Sequence, residues 1–142
     1  NAKMSKSLGN TVGILADPDD VWDKVRTAVT DPQRVRRDDP GRPEVCNVFA
    51  LHQFFTEENA RKEIEAGCRS AELGCVDCKR VLSGNIATSF APYRERAAHY
   101  REHPSEVRDV LDRGAAKARK IASETMQEVR RKMGLNWRNA IP

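Results

Sequence analysis

The sequence of 142 residues predicts an all-α fold of about five helices, arranged as a helical bundle. Three observations carry this. Apolar residues recur at helical spacing in several segments. Those segments open on helix-start patterns in which Asp, Thr or His precedes Pro or acidic residues. No alternating apolar–polar stretch long enough for a strand, and no internal repeat, interrupts them. The length suits one domain with a real core. With 39% hydrophobic and 32% charged residues, the composition reads as soluble and globular. No apolar run approaches the roughly 20 residues of a membrane span, so no membrane partner is expected. No signal peptide pattern is visible at the N-terminus. Lys and Arg number 25 against 21 Asp and Glu. That small surplus permits polyanion binding without demanding it, and mixed charge is the usual pattern of a solvated helical surface.

Taken in order, residues Asn1 to Ile14 form a polar, Gly-containing loop. Asp17-Pro18-Asp19-Asp20 then starts a helix, with Asp17 as N-cap, Pro18 at the first helical position and acids in the first turn. Val21, Trp22, Val25, Ala28 and Val29 make its apolar face, and Thr30-Asp31-Pro32 is expected to end it. Three prolines, one glycine and the run Arg34-Val35-Arg36-Arg37-Asp38-Asp39 mark a loop to Pro43. A second helix follows, with Val45, Val48, Phe49 and Leu51 toward the core. Thr56-Glu57-Glu58 starts a third, running to about Ala66. The chain turns between Gly67 and Gly74. Leu82, Ile86, Phe90, Tyr93, Ala97 and Tyr100 then stripe a long helix in which Pro92 predicts a kink or break. His103-Pro104-Ser105-Glu106 opens a last helix of about 30 residues striped by Val107, Val110, Leu111, Ala115, Ala118, Ile121, Ala122, Met126, Val129 and Met133. Gly134 ends it as a C′ glycine, and the tail 136–142 is polar and expected to fray.

The densest chemistry lies in Lys3-Met4-Ser5-Lys6-Ser7, continued by Leu8-Gly9-Asn10. Two ammonium groups and two hydroxyls in one short loop can follow a triphosphate as its charge shifts. Lysine is a compact point charge on a flexible stem, Ser5 and Ser7 can donate to phosphate oxygens, and Gly9 allows the loop to hinge. The plain alternative is a solvated linker carrying two lysines.

The five residues match the KMSKS signature of class I aminoacyl-tRNA synthetases. Later segments resemble the tryptophanyl-tRNA synthetases: Val25-Arg26-Thr27-Ala28-Val29-Thr30-Asp31; Val35-Arg36; Asp39-Pro40-Gly41-Arg42-Pro43 followed by Val45 and Asn47; Phe90-Ala91-Pro92 with Arg94-Glu95-Arg96; and Gly114 to Ala122 with Thr125, Val129, Arg130, Met133 and Gly134. The resemblance spans Lys3 to Gly134. It implies a cytoplasmic homodimer that joins L-tryptophan to tRNA(Trp) using ATP and Mg2+. It implies a Rossmann α/β catalytic half ending in the loop at 1–16, followed by an α-helical, anticodon-proximal C-terminal domain at 17–142. Lys3 and Lys6 would be catalytic, and Lys3, Met4, Ser5, Lys6 and Ser7 would contact ATP. The HIGH-type motif and the tryptophan pocket of that family would lie upstream of the loop, so these residues are expected to be its C-terminal half and inactive alone.

Cys46, Cys68, Cys75 and Cys78 have the spacing C-x21-C-x6-C-x2-C. Four thiolates with one close pair can enclose a tetrahedral Zn2+ or hold an iron–sulfur cluster. Competing readings are buried free thiols, or a Cys75–Cys78 redox pair, which lacks a surrounding βαβ pattern. Disulfides are disfavoured in a cytosolic protein. A subset of bacterial tryptophanyl-tRNA synthetases carries a four-cysteine motif of nearly this spacing, one residue longer in the first gap, holding a [4Fe-4S] cluster near the anticodon site. The resemblance therefore favours [4Fe-4S] over Zn2+.

Of the remaining residues, Trp22 is read as core. His52, His99 and His103 show no metal-ligand spacing with one another, and His103 is read as helping to start a helix. Arg34, Arg36 and Arg37 either touch phosphate or pair with Asp38 and Asp39, and the resemblance places their loop toward the dimer and catalytic region. Lys79 and Arg80, directly after Cys78, are the candidate tRNA-binding residues. The competing functional class is a freestanding metal-bound helical module that binds RNA or protein without catalysis.

Overall fold

The computed structural model describes residues 4–135; Lys3 and the tail 136–142 lie outside the described residues. Five α-helices and two short 3₁₀ turns, with no strand, make up the described residues. The helices are α1 (Pro18–Arg26), α2 (Asn47–Phe55), α3 (Glu58–Arg69), α4 (Cys75–Glu102) and α5 (Pro104–Lys132). The chain divides into two compact units, one up to Ala97 and one from Ala98.

The first unit holds the core. Val21 and Val25 of α1, Val48 and Phe49 of α2, Ile64 of α3, and Leu82 and Ile86 of α4 are buried together with Cys46. Val12 and Ala16 pack on them, so the N-terminal loop is anchored to the helices rather than hanging from them. Pro18 starts α1 with Asp17 at the N-cap position, although the Asp17 side chain makes no capping hydrogen bond. The α1 helix stops at Arg26, short of Thr30: Thr27 Oγ1 turns back to donate to the Lys24 carbonyl at 3.0 Å. Val29, expected on the apolar face, is consequently exposed, as is Val45 in the 3₁₀ turn before α2. Glu57 caps α3, its carboxylate accepting from Asn59 N and Ala60 N, and α3 runs three residues past the expected end.

The α4 helix passes through Pro92 without the expected break. A proline leaves the carbonyl four residues back without its helical donor. That carbonyl is Thr88's; nearby, Arg94 lays its guanidinium along the helix, donating to the Ala87 carbonyl at 2.8 Å and to the Ala16 carbonyl at 3.3 Å.

The second unit contains the last turn of α4 and all of α5. Pro104 occupies the first turn of α5. Its end is closed by Gly134 at φ 68, with the Leu135 amide donating to the Arg130 carbonyl at 2.8 Å, the C-terminal arrangement the glycine predicts. No residue of α5 is buried.

Candidate functional site: the lysine loop and the four-thiol site

The loop at 4–10 is folded on itself. The Ser5 amide donates to Asn10 Oδ1 at 2.9 Å, and Ser5 Oγ accepts from the Leu8 amide at 3.3 Å, capping a 3₁₀ turn over Lys6–Leu8. Gly9 closes that turn at φ 63, a left-handed conformation that suits glycine. Lys24 of α1 donates to the Gly9 carbonyl at 2.9 Å, tying the turn to the helix. Ser5 Oγ and Ser7 Oγ lie 3.0 Å apart, and Lys6 and Ser7 are exposed beside them. Met4 is exposed as well. One ammonium and two hydroxyls thus share a compact, solvent-facing turn. That arrangement can bind phosphate oxygens, while Lys3 falls outside the described residues.

The cysteines come from four different positions in the fold. Cys46 is the N-cap residue of α2, Cys68 lies in the last turn of α3, Cys75 opens α4 and Cys78 stands one turn further along it. The C-x2-C pair forms as expected, with the Cys78 amide donating to the Gly74 carbonyl at 3.0 Å. Between Cys68 and Cys75 the chain reverses through Ala71, which sits at φ 63, and through a bond from the Leu73 amide to the Gly67 carbonyl at 2.9 Å. Burial first, and then the neighbouring Cys46, Cys68 and Cys75, push the Cys78 thiol up to about 12. Burial likewise raises Cys68, with the Arg34 guanidinium pulling the other way. Raised thiol pKa values at Cys68 and Cys78 mean that these two groups ionise more readily if a cation binds beside them. Among the described residues no three of these sulfurs come within 4.8 Å of one another.

Neighbouring groups shape this pocket. Gly41 donates its amide to the Cys68 carbonyl at 2.9 Å, and a Cβ placed at Gly41 would overlap Cys68 Sγ. Arg34 reaches across from the loop before Pro43. Its terminal nitrogens donate to the carbonyls of Arg37 (2.9 Å) and Leu73 (3.0 Å) and approach Cys68 Sγ at 3.9 Å. Its Nε–H is buried with no acceptor, a donor that sulfur at the thiol site would satisfy. On the other side, Asn85 donates to Thr56 Oγ1 at 2.8 Å. That hydroxyl sits 2.7 Å from His52 Nδ1, and its own proton is then available to that nitrogen. The ring hydrogen is left on Nε2, 3.4 Å from Cys78 Sγ. Burial lowers the His52 pKa and keeps the ring neutral. Both second partners therefore donate toward sulfur, as groups around a ligating thiolate should.

Several expectations change here. The Arg34 loop also borders the thiols: with Gly74, Cys75 and Asp77 it lines a pocket of about 380 Å³. Only the Arg37 guanidinium pairs with a local acid, Asp38 at 3.7 Å; Arg36 meets Asp39 Oδ2 through its backbone amide, at 2.6 Å. Lys79 is half-buried and donates to the Arg26 carbonyl at the end of α1, at 2.8 Å. Arg80 covers the half-buried Trp22, 4.9 Å from the ring centre, so Trp22 is a covered rim residue rather than core. His52, which shows no metal-ligand spacing with the other histidines, lies 3.4 Å from the Cys78 thiol. Arg34, Gly41, Thr56 and Asn85 were not singled out for this site, and only the Pro40-Gly41 turn offered a signal.

Residues 1–91 match the sequence family described as tRNA synthetases class I (W and Y). The chain is 49% identical over 132 residues to the tryptophan–tRNA ligase of Deinococcus radiodurans, covering 93% of this chain and 40% of that protein. It is 45% identical over 135 residues to that of Ralstonia nicotianae, covering 95% and 34%. Among solved structures, it superposes on the tryptophanyl-tRNA synthetase of Campylobacter jejuni, crystallised with ADP and tryptophan, with a TM-score of 0.85 at 34% identity. That match covers 94% of this chain and 41% of that one. The chain thus spans well under half the length of these relatives. With a lysine–serine loop anchored to a helical core and a family match over most of the chain, it belongs to the class I tRNA synthetases of the W and Y family.

Proposed function

We propose that these residues are part of a tryptophan–tRNA ligase, a cytoplasmic homodimer that activates L-tryptophan with ATP and Mg2+ and transfers it to tRNA(Trp). The identity of 49% to a tryptophan–tRNA ligase carries this reading, with the folded loop beside it. In activation, a tryptophan carboxylate oxygen attacks the α-phosphorus of ATP. The P–O bond to the β-phosphate breaks, and pyrophosphate leaves with the bonding electrons. Charge gathers on the leaving group, so cations there act most strongly in the transition state. Lys6, with Lys3, supplies them, and Ser5 and Ser7 donate hydroxyls to phosphate oxygens. Gly9 and the Lys24 anchor allow the turn to close on the nucleotide and reopen. In the full-length enzyme, Lys6→Ala is expected to lower tryptophan-dependent ATP–pyrophosphate exchange by about two to three orders of magnitude. Unchanged exchange would remove the loop from catalysis and favour a non-catalytic binding module.

The four cysteines are assigned as ligands of a [4Fe-4S] cluster. A single tetrahedral zinc draws its sulfurs to about 3.8 Å apart, given Zn–S bonds of about 2.3 Å. No three of these sulfurs lie within 4.8 Å of one another, and the donors Arg34 Nε–H and His52 Nε2–H fit a sulfur-rich occupant. The cluster would supply positive charge that lets the four thiols ionise, and would bind α2, α3 and α4 together. Anaerobically purified protein is expected to contain about four irons per chain with a broad visible absorption. Stoichiometric zinc without iron would assign the site to Zn2+ instead. Lys79 and Arg80 are the tRNA-facing cations of this reading, and Arg80 is the more exposed of the two. Arg80→Ala should weaken tRNA binding and reduce its salt slope by about one.

A further inference from the structure

We infer that His99, His103 and Glu106 form a second divalent-metal site, of the zinc class, at the corner between the last turn of α4 and the first turn of α5. The inference does not depend on the ligase reading or on the occupant of the thiol site. One ligand atom from each of the three side chains lies within 4.8 Å of the other two. His99 Nε2 is 3.0 Å from Glu106 Oε2. His103 Nδ1 is 2.9 Å from the His99 carbonyl oxygen. A carbonyl can only accept, so Nδ1 carries the hydrogen and Nε2 is left with its lone pair free for a metal. A backbone carbonyl orienting a ligating imidazole in this way is the usual support for a histidine ligand. The two rings stack, 4.4 Å between centres and 24° between planes, so they present their edges together.

The corner holding these groups is fixed by the backbone. The His103 amide donates to the His99 carbonyl at 2.9 Å, and the Glu106 amide to the His103 carbonyl at 3.1 Å. Pro104 sets the turn between them. His99 and His103 are therefore four residues apart across a helix end, and Glu106 comes three residues later. Along the sequence, H-x3-H is a spacing that metal ligands use, and the reading of no metal spacing missed it where a helix boundary falls inside the pattern. In space it delivers two imidazoles and one carboxylate, the donor set of many three-ligand zinc sites whose remaining position is left to water. Imidazole donors disfavour Mg2+ and Ca2+, which prefer oxygen. All three residues are exposed, so an ion can enter without opening the fold. On entry it would replace the His99–Glu106 hydrogen bond, bridging the two groups and tying α4's last turn to α5's first.

Cobalt(II) distinguishes this site from the cysteines, because thiolate ligation gives sulfur-to-cobalt charge-transfer absorption and imidazole–carboxylate ligation does not. Titration of the intact chain should reveal a cobalt equivalent without sulfur absorption, displaced by zinc. His99→Ala and His103→Ala should each weaken that equivalent by at least about tenfold, since loss even of an outer-shell partner commonly does so. Glu106→Gln should weaken it less, and helical circular dichroism and any sulfur-based absorption should stay unchanged. Absence of a thiolate-free equivalent in the unmodified chain, or affinity in either histidine variant equal to that of the unmodified chain, would overturn the inference.

Discussion

The α4 and α5 helices are similar in length and each carries an apolar stripe at helical spacing, yet they meet opposite fates. In the first unit, Leu82 and Ile86 of α4 are fully or almost fully buried, at 0% and 3% exposure, against α1, α2 and α3. In the second unit, Leu111 and Ile121 of α5 remain 66% and 59% exposed. Periodicity states which side of a helix is apolar, not whether anything covers it. Burial is a property of the neighbours, and in the first unit those neighbours are gathered around the thiol site.

The sharpest way to break this contrast is a matched pair of truncations. Leu82→Ala should destabilise the first unit by about 2–5 kcal/mol through lost burial and a residual cavity. Leu111→Ala should change stability by no more than about 0.5 kcal/mol. Chemical denaturation followed at both positions measures the difference, and equal losses would show that α5 is covered in solution. A smaller effect is expected at Gly41, where an added methyl meets Cys68 Sγ and the backbone beside it. Gly41→Ala should cost about 1–3 kcal/mol by overpacking. It should also lower the metal content of the cysteines while leaving the histidine corner intact, which metal analysis of the variant can follow.

The smallest effect concerns acid. Asp31 is buried and accepts from Arg42 Nε at 3.0 Å, Arg42 Nη2 at 2.6 Å and the amides of Gln33 and Arg42. The Arg42 side chain, chiefly, holds its carboxyl well below the usual carboxylate range. A depressed folded-state pKa gives stability that is present above the unfolded value of about 3.9 and lost as pH falls below it. Amide hydrogen exchange in α2 and α3 should therefore accelerate below about pH 4, and Asp31→Asn should flatten that dependence. The exposed i,i+4 pair Lys132–Glu128 in α5 should contribute little to any pH response there, as solvent screens it.

Much of the architecture was legible residue by residue. Pro18 after Asp17, Glu57 ahead of α3, Pro104 and Gly134 each mark an end by a local rule, and each end forms within a few residues of where that rule puts it. Pro92 does not break α4, which continues through it to Glu102. The four cysteines were visible in their spacing, and they fall at the start of α2, the end of α3 and the first turn of α4. Their supports were not legible. Arg34 lies 34 positions from Cys68, and His52 lies 26 from Cys78. The basic character of Lys79 and Arg80 was plain, but not that one would cap α1 and the other would lie over Trp22.

By itself the sequence determined the helices, their apolar faces, the lysine–serine loop and the thiol set, because each follows from short-range backbone preference or from spacing along one chain. Only the tertiary structure decided which faces are covered, which cations remain free, that Arg34 approaches Cys68 and that His99, His103 and Glu106 converge. Those outcomes depend on distances between groups remote in sequence or separated by a helix boundary, and no periodicity encodes them.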